Sequence, residues 1–382
     1  ERRRAPWPAV ACRGIAAYPA APASSGPWHG PACARRAAPI PDASPDPAAD
    51  IPEPGKVRRL MPGLLRARMP LPFPPGHVNI WLLEHEGGWL AVDTAIASRT
   101  TRELWDRVLG QPALGGRPLT GLLVTHFHPD HIGLTGWRCG RFGLIPAMTR
   151  IEWLMARALW YDSGPDMMAQ QIAHYARAGC PADYLAHVEA RGPLYQRAVG
   201  ELPRAFQCIR DGGTLTIGGE AWRVMTGSGH APDMACLHSA ARGVLISADQ
   251  ILPRISPYVG LHPGEPNADP LGDFLASLER FAALPEDTLV LPSHGEPFRT
   301  LHPRLETLAS HHAMRLDALA DACREPATAF EAAQLLFPRA AQEPGQIGFA
   351  VGETLAHLRR LERQGRVEAI PGTGEAVLFR AR

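Results

Sequence analysis

The sequence predicts an α/β fold of layered sheets and helices, with a helical insertion and a small C-terminal module. Three observations support this prediction. Short apolar strands alternate with helical patterns from residue 57 onward, residues 148–206 show helical patterns without strands, and residues 301–382 combine three helical patterns with two strands. The number of strands requires two sheets.

The composition is that of a folded globular chain. Of 382 residues, 45% are hydrophobic and 20% are charged, and this length suits one large catalytic domain with one or two small attachments. Lys and Arg number 39 and Asp and Glu 38, so the net charge of +1 gives no global electrostatic reason for a nucleic-acid or anionic-membrane partner. No run approaches the roughly 18 apolar residues of a membrane span, so we expect no membrane segment.

The cysteines indicate the compartment. Seven cysteines are scattered along the chain without a CxxC pair. This odd and dispersed set argues against a disulfide framework and against a cysteine-rich zinc site. It fits a reducing compartment, so we predict a cytoplasmic protein. The sequence is also compatible with a homo-oligomer.

Residues 1–55 are predicted to be disordered. They contain 12 of the 39 prolines, many alanines and no hydrophobic periodicity, so they cannot bury enough apolar area to offset the loss of chain entropy. The segment is rich in Arg and poor in acidic residues up to Asp42, which is compatible with a targeting segment or an over-extended reading frame. It lacks the compact apolar run of a secretory signal.

The elements of residues 56–300 follow in a regular order. Apolar strands at 78–83 and 89–92, separated by a Glu-Gly-Gly turn, predict a hairpin. A helical pattern at 99–109 precedes an apolar strand at 119–125, and this succession of strand, helix and strand is typical of a layered α/β domain. Later segments predict the second sheet and a helix: strands at 214–217, 221–225, 243–247 and 288–291, and a helix at 269–284.

Residues 148–206 are predicted to form a helical insertion. Two shorter helices, at 167–178 and after Pro181, follow a first helix in this segment. Apolar residues recur in the first helix at the spacing of one helix face: Ile151, Leu154, Met155, Ala158 and Leu159. This stripe either packs on the sheet or forms a lid over an apolar substrate pocket.

Residues 301–382 predict a winged-helix-like domain. Three acidic residues, Glu353, Glu362 and Glu368, dilute the positive charge at its last helix, so a solvated helix face is the favoured interpretation and we expect no nucleic-acid partner. The elements are helices at 303–324, 327–337 and 351–364 and strands at 366–370 and 376–380. The arginines that a DNA-binding protein would use are Arg359, Arg360, Arg363 and Arg366.

The segment at the end of the strand at 119–125 contains a cluster of candidate metal ligands. Residues 125–131 are Thr-His-Phe-His-Pro-Asp-His. Alternate side chains of an extended segment point the same way, so His126 and His128 can bind one metal ion. Asp130 and His131 lie where the chain turns and can face a second ion. Packing alone does not favour such a cluster, because each buried polar group needs a partner.

Three further strand ends supply candidate ligands. His230, Asp249 and His294 each follow a predicted strand and lie beside small residues that allow close approach of the backbone. This repetition predicts a site with two metal ions where the strand ends meet. A metal that serves only structure is the alternative, but four ligands normally close such a site.

These motifs, HxHxDH followed by His, Asp and His, resemble the signature of the metallo-β-lactamase superfamily. The resemblance covers about residues 57–300 and rests on four separated motifs in order. It implies an αββα sandwich with a dinuclear metal site at one edge. It also implies that Asp93 supports the site by holding a ligand in place.

The resemblance also implies the ligand set. Nitrogen and carboxylate ligands without thiolate favour zinc, so we expect two zinc ions per chain, although iron or manganese can occupy the same set. The implied ligands are His126, His128 and His230 for the first ion, Asp130, His131 and His294 for the second, and Asp249 as the bridge.

The aspartate at position 249 argues against hydrolysis of antibiotics, because zinc β-lactamases of the commonest type have a cysteine at the corresponding position. The pattern is similar to hydroxyacylglutathione hydrolases (glyoxalase II), thioesterases, lactonases and nucleases. With Asp-Gln-Ile-Leu-Pro at 249–253 and the C-terminal module, the chain looks like the branch of the animal β-lactamase-like protein 2 and the secondary-metabolite thioesterases. This resemblance implies hydrolysis of an acyl thioester. A lactonase or carboxylic esterase is the nearest alternative, and a single-strand endoribonuclease is a more distant one.

The implied mechanism uses a metal-bridging hydroxide. Two ions about 3.5 to 4 Å apart can lower the pKa of a bridging water to about 7. Asp130 would act as the catalytic carboxylate that orients this nucleophile or accepts its proton. The small acyl substrate is expected to contact four residues: Leu154, Leu159, Tyr258 and His262.

Overall fold

The computed structural model describes residues 51–382, and every structural statement below concerns this part of the chain. The predicted disorder of residues 1–55 lies outside the described residues, except for 51–55, which are irregular and end in a turn. The strands are β1 (Val57–Met61), β2 (Leu64–Pro70), β3 (His77–His85), β4 (Gly88–Val92), β5 (Leu119–Leu123), β6 (Ala147–Thr149), β7 (Gln207–Ile209), β8 (Thr214–Ile217), β9 (Glu220–Gly227), β10 (Met234–Ser239), β11 (Val244–Ala248), β12 (Leu289–Pro292), β13 (Ala327–Thr328), β14 (Val367–Pro371) and β15 (Val377–Ala381). The α-helices are α1 (Arg99–Leu109), α2 (Pro129–Ile132), α3 (Thr135–Phe142), α4 (Arg150–Tyr161), α5 (Pro165–Arg177), α6 (Ala182–Arg191), α7 (Tyr195–Ala198), α8 (Pro270–Phe281), α9 (Leu301–Ala322), α10 (Ala329–Leu336) and α11 (Pro344–Arg363).

The first sheet has seven strands in sequence order, β1 to β7. Strands β1 to β4 pair antiparallel, whereas β4 to β7 pair in parallel. The predicted hairpin is formed by β3 and β4, and its turn places Glu86 and Gly87 at positive φ values of 46° and 76°. Helix α1 makes the crossover from β4 to the parallel strand β5.

The second sheet has five strands in the order β12-β11-β10-β9-β8. Its strands are antiparallel except for β11 and β12, which pair in parallel. Helix α8 connects these two strands. Its start is fixed by the Asp269 side chain, which accepts a hydrogen bond from the Gly272 N–H at 2.9 Å, and by Pro270 in its first turn.

The two sheets pack face to face, and the alternation of side chains along each strand fills the interface. In β3, Trp81 faces the second sheet and Ile80 faces the outer helices. In β11, Ile246 faces the first sheet and Leu245 faces the helices on the other side. All four side chains are at most 1% exposed.

Helices cover both outer faces of the sandwich. Leu104 and Trp105 of α1 pack on the first sheet, and Phe274 and Leu278 of α8 pack on the second. Full burial of one such side chain contributes about 1.5 to 3 kcal/mol. The predicted αββα sandwich is confirmed.

The buried face of α4 differs from the predicted apolar stripe. Ile151 and Leu154 are 50% and 57% exposed, whereas Glu152, Trp153 and Ala156 are buried. The helix turns this other face inward because the Glu152 carboxylate binds two backbone N–H groups, described below. Met155 and Leu159 of the predicted stripe are half-buried and pack against the core. The periodicity of apolar residues therefore indicated the helix correctly but only part of its buried face.

The C-terminal module consists of α9, β13, α10, α11, β14 and β15, with a three-stranded sheet in the order β13-β15-β14. This is the element order of a winged helix, as predicted. Leu308 of α9 and Leu358 of α11 belong to the same hydrophobic core as Leu278 of α8. The domain boundary at residue 300 stays a prediction.

The arginines of α11 contact the chain's own loop before α8. Arg359 and Arg363 donate to the carbonyls of residues 266 and 267 at 2.9 and 2.8 Å. Arg360 forms an ion pair with Asp269 at 2.9 Å. The face that would carry DNA contacts in a winged helix is therefore engaged within the chain.

Two further features bear on the predicted compartment. Among residues 51–382, no helix combines the length and the apolar character needed to cross a membrane. Five cysteines in this range have free thiols. The cytoplasmic location stays a prediction.

Candidate metal centre

Four chain segments meet at one edge of the sandwich. The segment after β5 brings in residues 126–131, and β9, β11 and β12 lead to His230, Asp249 and His294. The parallel pairing of β11 and β12 places Asp249 and His294 at the same end of the second sheet. The two sheets are joined at this edge by a hydrogen bond from the Ala235 N–H to the Thr125 carbonyl, at 2.9 Å.

Three imidazoles converge in the first group of donors. The Nδ1 atom of His128 lies 3.0 Å from Nε2 of His126 and 3.0 Å from Nε2 of His230. The donor atoms of these three side chains all lie within 4.8 Å of one another. This arrangement presents three nitrogen atoms to one point, as a metal with imidazole ligands requires.

Two carboxylates and two imidazoles form the second group. Nε2 of His294 lies 3.4 Å from Oδ2 of Asp130 and 3.3 Å from Oδ2 of Asp249. Nε2 of His131 lies 3.6 and 3.5 Å from the same two oxygens. Oδ2 of Asp249 is also 3.4 Å from Nε2 of His230, so Asp249 connects the second group to the first.

Hydrogen bonds at Nδ1 decide which nitrogen faces the centre. His230 donates from Nδ1 to the Tyr258 carbonyl at 2.7 Å, and His294 donates from Nδ1 to the His77 carbonyl at 2.6 Å. A carbonyl oxygen can only accept, so each Nδ1 carries a proton. In the neutral imidazole, Nε2 then presents a lone pair to the centre.

Asp93 controls His131 in the same way. Its Oδ2 lies 2.8 Å from Nδ1 of His131, and Oδ1 accepts the Thr125 N–H at 2.8 Å. The Thr125 hydroxyl also donates to Asp93, so its oxygen accepts the Nδ1 proton of His126 at 2.9 Å. One buried carboxylate thus orients two imidazoles, which is the supporting role that the resemblance implied for Asp93.

Burial keeps His126 and His128 of the first group neutral. Burial and then the His131 imidazole lower the pKa of His126 well below its usual range, and burial and then His230 lower the pKa of His128 to about 3. At neutral pH these imidazoles are therefore uncharged. The neutral form is the one that binds metals.

The second group favours positive charge. Burial opposes protonation of His294, but the Asp249 and Asp130 carboxylates raise its pKa to about 10. Burial opposes ionisation of Asp130, but His131 and His294 lower its pKa to about 2. Burial also opposes ionisation of Asp249, but His294 and His131 hold its pKa well below the usual range. Both carboxylates are therefore ionised in the folded chain.

The residues present fit two divalent cations. Nε2 of His131 and Oδ1 of Asp249 are buried without a hydrogen-bond partner. Such orphaned groups cost about 1 to 3 kcal/mol each unless a further partner is bound. A divalent cation would take the place of the proton on an imidazole nitrogen and bind the carboxylate oxygens, so this donor set suits a metal. The structure brings together all seven side chains that the sequence predicted as ligands.

Glu152 is a supporting residue that the sequence reasoning missed. It lies on α4, is fully buried, and accepts the Phe127 N–H at 3.0 Å and the Asp233 N–H at 2.6 Å. Phe127 lies between two donors of the first group, and Asp233 lies three residues after His230. One carboxylate thus joins two ligand loops. An acidic residue within the apolar RIEWLM sequence was the available signal.

A clamp from β2 and β3 holds the His294 loop. Arg66, 1% exposed, donates to Asn79 Oδ1 and to the Gly295 carbonyl, both at 3.0 Å, and pairs with Glu296 at 2.5 Å. Asn79 in turn donates to the Gly295 carbonyl at 2.8 Å. Arg66 and Glu296 are 230 residues apart in sequence, so no local pattern indicated this contact.

A cavity of about 630 Å³ opens beside the imidazoles of His128 and His230. Three of the four predicted substrate contacts, Leu159, Tyr258 and His262, line it. Leu154 does not, because α4 turns this side chain toward solvent. The volume is within the range of small-molecule sites.

Comparison with known families agrees with this geometry. Residues 73–294 match the family model of the metallo-beta-lactamase superfamily, which is more than half of the chain. The chain belongs to the metallo-beta-lactamase superfamily. Residues 316–382 match the C-terminal domain described as metallo-beta-lactamase-like. The superfamily generally binds divalent metals, so the match and the donor set identify a metal-dependent hydrolase.

Individual relatives span most of the chain. A probable metallo-hydrolase of Bacillus subtilis (strain 168) is 25% identical over 334 residues, 83% of this chain and 97% of the relative. The crystal structure of a beta-lactamase domain protein from Burkholderia ambifaria has a TM-score of 0.81 and 37% identity, and it covers 89% of this chain and 98% of that one. A linear primary-alkylsulfatase from Pseudomonas sp. (strain ATCC 19151) is 26% identical over 222 residues, 56% of this chain and 41% of the relative.

Proposed function

We propose that the chain is a dinuclear zinc hydrolase that cleaves small acyl thioesters. The observation that carries this proposal is the convergence of seven donor side chains from four segments beside a cavity of about 630 Å³. A structural metal needs four ligands and no adjoining cavity. The same donor set would accept iron or manganese.

The ligand roles follow from the contacts. His126, His128 and His230 would hold one ion, and Asp249 would be shared because its Oδ2 lies 3.4 Å from His230 and 3.3 Å from His294. Asp130, His131 and His294 would hold the other. Bound divalent cations would supply a water of lowered pKa and polarise the acyl carbonyl.

The protein's own groups then direct the hydrolysis. A water oxygen bonds to the acyl carbon, the carbon–sulfur bond breaks, and the thiolate leaves and takes up a proton. Asp130 is the candidate for holding that proton, because its side chain is ionised and 14% exposed while Asp249 is 8% exposed. Asp93 keeps His131 oriented throughout, since its carboxylate already accepts the Nδ1 proton.

The cavity wall supports an acyl substrate. Met155 and Leu159 of α4 and Met167 of α5 give it an apolar side. A nuclease would need several basic side chains to follow a polyanion, whereas Arg191 is the one Arg or Lys among the described residues that line the cavity. The choice of a thioester over a lactone or carboxylic ester rests on the resemblance to the thioesterase branch.

The proposal is tested by metal analysis and a substrate panel. We expect about two metal ions per chain and turnover of acyl-CoA or acyl-glutathione in preference to a lactone, a p-nitrophenyl ester, a primary alkyl sulfate and single-stranded RNA. Turnover of one of the other substrates alone would replace the thioesterase proposal by that activity. Absence of bound metal together with absence of turnover would contradict a hydrolase.

Ligand variants provide the control. His128→Ala and Asp249→Ala should each lower kcat/KM by more than about 100-fold, since loss of a supporting residue alone can cost 10- to 100-fold. His238→Ala, on β10 and outside the centre, should leave it unchanged. Equal activity of the His128 and His238 variants would refute the ligand assignment.

A further inference from the structure

We infer that the cavity contains a subsite for an anionic group of the substrate, formed by Arg191 with the hydroxyls of Tyr175 and Tyr258, which line the cavity, and supported by the buried Tyr184, which packs against Tyr175. These four residues are called the tyrosine–arginine cluster. The inference rests on the proposed hydrolase function and adds a substrate class. The acyl substrate carries a carboxylate or a similar oxyanion at a distance from the bond that is cleaved.

Arg191 is a cation without a counter-charge. It lies at the end of α6, lines the cavity and is only partly exposed to solvent. Among residues 51–382 it forms no ion pair with a carboxylate, and its Nε atom is buried without a hydrogen-bond partner. A partly buried charge is costly unless it is paired, so an anionic ligand would supply the missing partner.

Two tyrosines, Tyr175 and Tyr184, lie near this charge. The Tyr175 hydroxyl interacts with both the Arg191 guanidinium and the Tyr184 hydroxyl, and the two rings meet edge to face with centroids 5.3 Å apart. Burial raises the pKa of Tyr175, and burial and then Tyr175 raise that of Tyr184. Both phenols are therefore neutral at physiological pH and can donate hydrogen bonds.

Glycines make room for these hydroxyls. A Cβ atom on Gly348 of α11 would lie 2.8 Å from the Tyr175 hydroxyl and 3.0 Å from the Tyr184 hydroxyl. A Cβ atom on Gly352, one turn later, would lie 2.3 Å from the Tyr258 hydroxyl. Helix α11 thus offers a flat surface to three phenols from three other parts of the chain. Packing alone does not require three hydroxyls at one glycine surface.

The acidic residues of the cavity do not neutralise Arg191. Glu265 and Asp273 line it, but both are exposed, and neither forms an ion pair with Arg191 in the described part of the chain. Burial and then the Asp269 carboxylate raise the pKa of Asp273, and the nearby Arg363 and Arg360 of α11 oppose this rise. The positive charge of Arg191 is therefore available to a ligand.

The volume restricts the ligand. A cavity of about 630 Å³ holds a small molecule and not a polymer, so an acyl group ending in a carboxylate fits better than a nucleic acid. The apolar side chains of Met155 and Leu159 would contact the methylene groups between the two ends.

The test compares two thioesters of similar length, a six-carbon acyl chain that ends in a carboxylate and a seven-carbon acyl chain whose terminal methyl group occupies the position of a carboxylate oxygen. Adipoyl-N-acetylcysteamine carries a terminal carboxylate, and heptanoyl-N-acetylcysteamine carries an alkyl end instead. Arg191→Met should raise KM for the adipoyl thioester about 10- to 100-fold, the effect of losing a charge-assisted hydrogen bond, with kcat little changed. KM for the heptanoyl thioester should change by less than twofold. Arg191→Lys should restore part of the preference, and Arg197→Met, an exposed arginine of the insertion, should behave as the wild type.

The outcomes separate this inference from the proposed function. Equal losses for both thioesters would indicate a structural role for Arg191, and no loss for either would show that the charge is unused; both results overturn the subsite. If the wild type hydrolyses neither thioester, the proposed function fails. The subsite is then tested separately, by calorimetry of ligand binding to the full chain from which metal has been removed with a chelator. Binding of monomethyl adipate but not dimethyl adipate, lost in Arg191→Met, would support it, and no binding would overturn it.

Discussion

At the scale of single residues, the geometry of the metal centre depends on which nitrogen of each imidazole forms a hydrogen bond with the protein. Nδ1 of His230 and Nδ1 of His294 each donate to a backbone carbonyl, and Nδ1 of His131 binds Asp93. Each bond fixes a tautomer and leaves Nε2 free toward the metals. The backbone at this edge is also strained, since Asp93 and Ala248 have φ values of 69° and 48°.

Glu152 provides a prediction at this scale. Glu152→Gln replaces one accepting oxygen by an NH₂ group, so the Phe127 or the Asp233 N–H loses its acceptor. We expect a loss of about 1 to 3 kcal/mol in the free energy of unfolding and weaker metal retention on dialysis. Denaturant titration and metal analysis measure the two effects.

The matched control is Glu103→Gln. Glu103 forms an exposed i,i+4 ion pair with Arg99 on α1, and such pairs contribute little. Its unfolding and metal content should equal those of the wild type. If Glu152→Gln behaved like this control, Glu152 would have no part in holding the two ligand loops.

At the scale of elements, α9 and α11 are joined by a buried histidine pair. Nδ1 of His312 lies 3.1 Å from Nε2 of His357, whose Nδ1 donates to the Glu353 carbonyl at 2.8 Å. The Ser256 hydroxyl lies 3.3 Å from Nε2 of His312. Donor atoms of these two histidines and of Glu353 are close enough for a metal, but every imidazole nitrogen already has a protein partner, and Glu353 pairs with Arg315.

This pair predicts a pH dependence of stability. Burial and then His357 lower the pKa of His312 to about 2, and burial lowers the pKa of His357 to about 3, both from 6.5. Because the unfolded chain takes up these protons first, the stabilisation is present above pH 6.5 and is lost as the pH falls below it. Each histidine should contribute a slope of about 1.4 kcal/mol per pH unit.

The double variant His312→Phe/His357→Leu isolates this contribution. Its free energy of unfolding, measured by denaturant titration between pH 7.5 and 4.5, should fall less steeply with decreasing pH than that of the wild type. The absolute stability of the variant does not enter the comparison. Parallel pH profiles would contradict the buried, uncharged pair.

At the scale of the whole molecule, metal binding connects both sheets. The donors follow β5 in the first sheet and β9, β11 and β12 in the second, so bound ions would join segments up to 168 residues apart, from His126 to His294. A ligand that binds only the folded state stabilises it by mass action, by about 4 kcal/mol at 1,000 times Kd.

Removal of metal should therefore lower Tm by several degrees. Thermal unfolding before and after treatment with a chelator measures this shift, and re-addition of zinc should reverse it. Asp249→Ala, which lacks the shared ligand, should show a much smaller shift. An unchanged Tm after proven loss of metal would contradict a centre that joins the two sheets.

The sequence by itself indicated an α/β fold and offered the seven donor residues as candidates, whereas the resemblance to the superfamily implied the αββα sandwich, the grouping of the ligands and the role of Asp93. Ligand spacing, strand ends and glycines are local properties, and the carboxyl ends of neighbouring strands must meet at one edge. The predicted hairpin, the crossover helix and the C-terminal helices are local patterns of the same kind. These predictions therefore required no knowledge of distant contacts.

Only the tertiary structure decided the face of α4, the roles of Glu152 and Arg66, and the unpaired charge of Arg191. Apolar periodicity placed Leu154 in the pocket, but two backbone N–H groups from distant loops bind Glu152 and turn Leu154 outward. The partner of a buried polar group can lie anywhere in the sequence. Its identity is therefore settled by the docking of helices and sheets and not by the pattern of neighbouring residues.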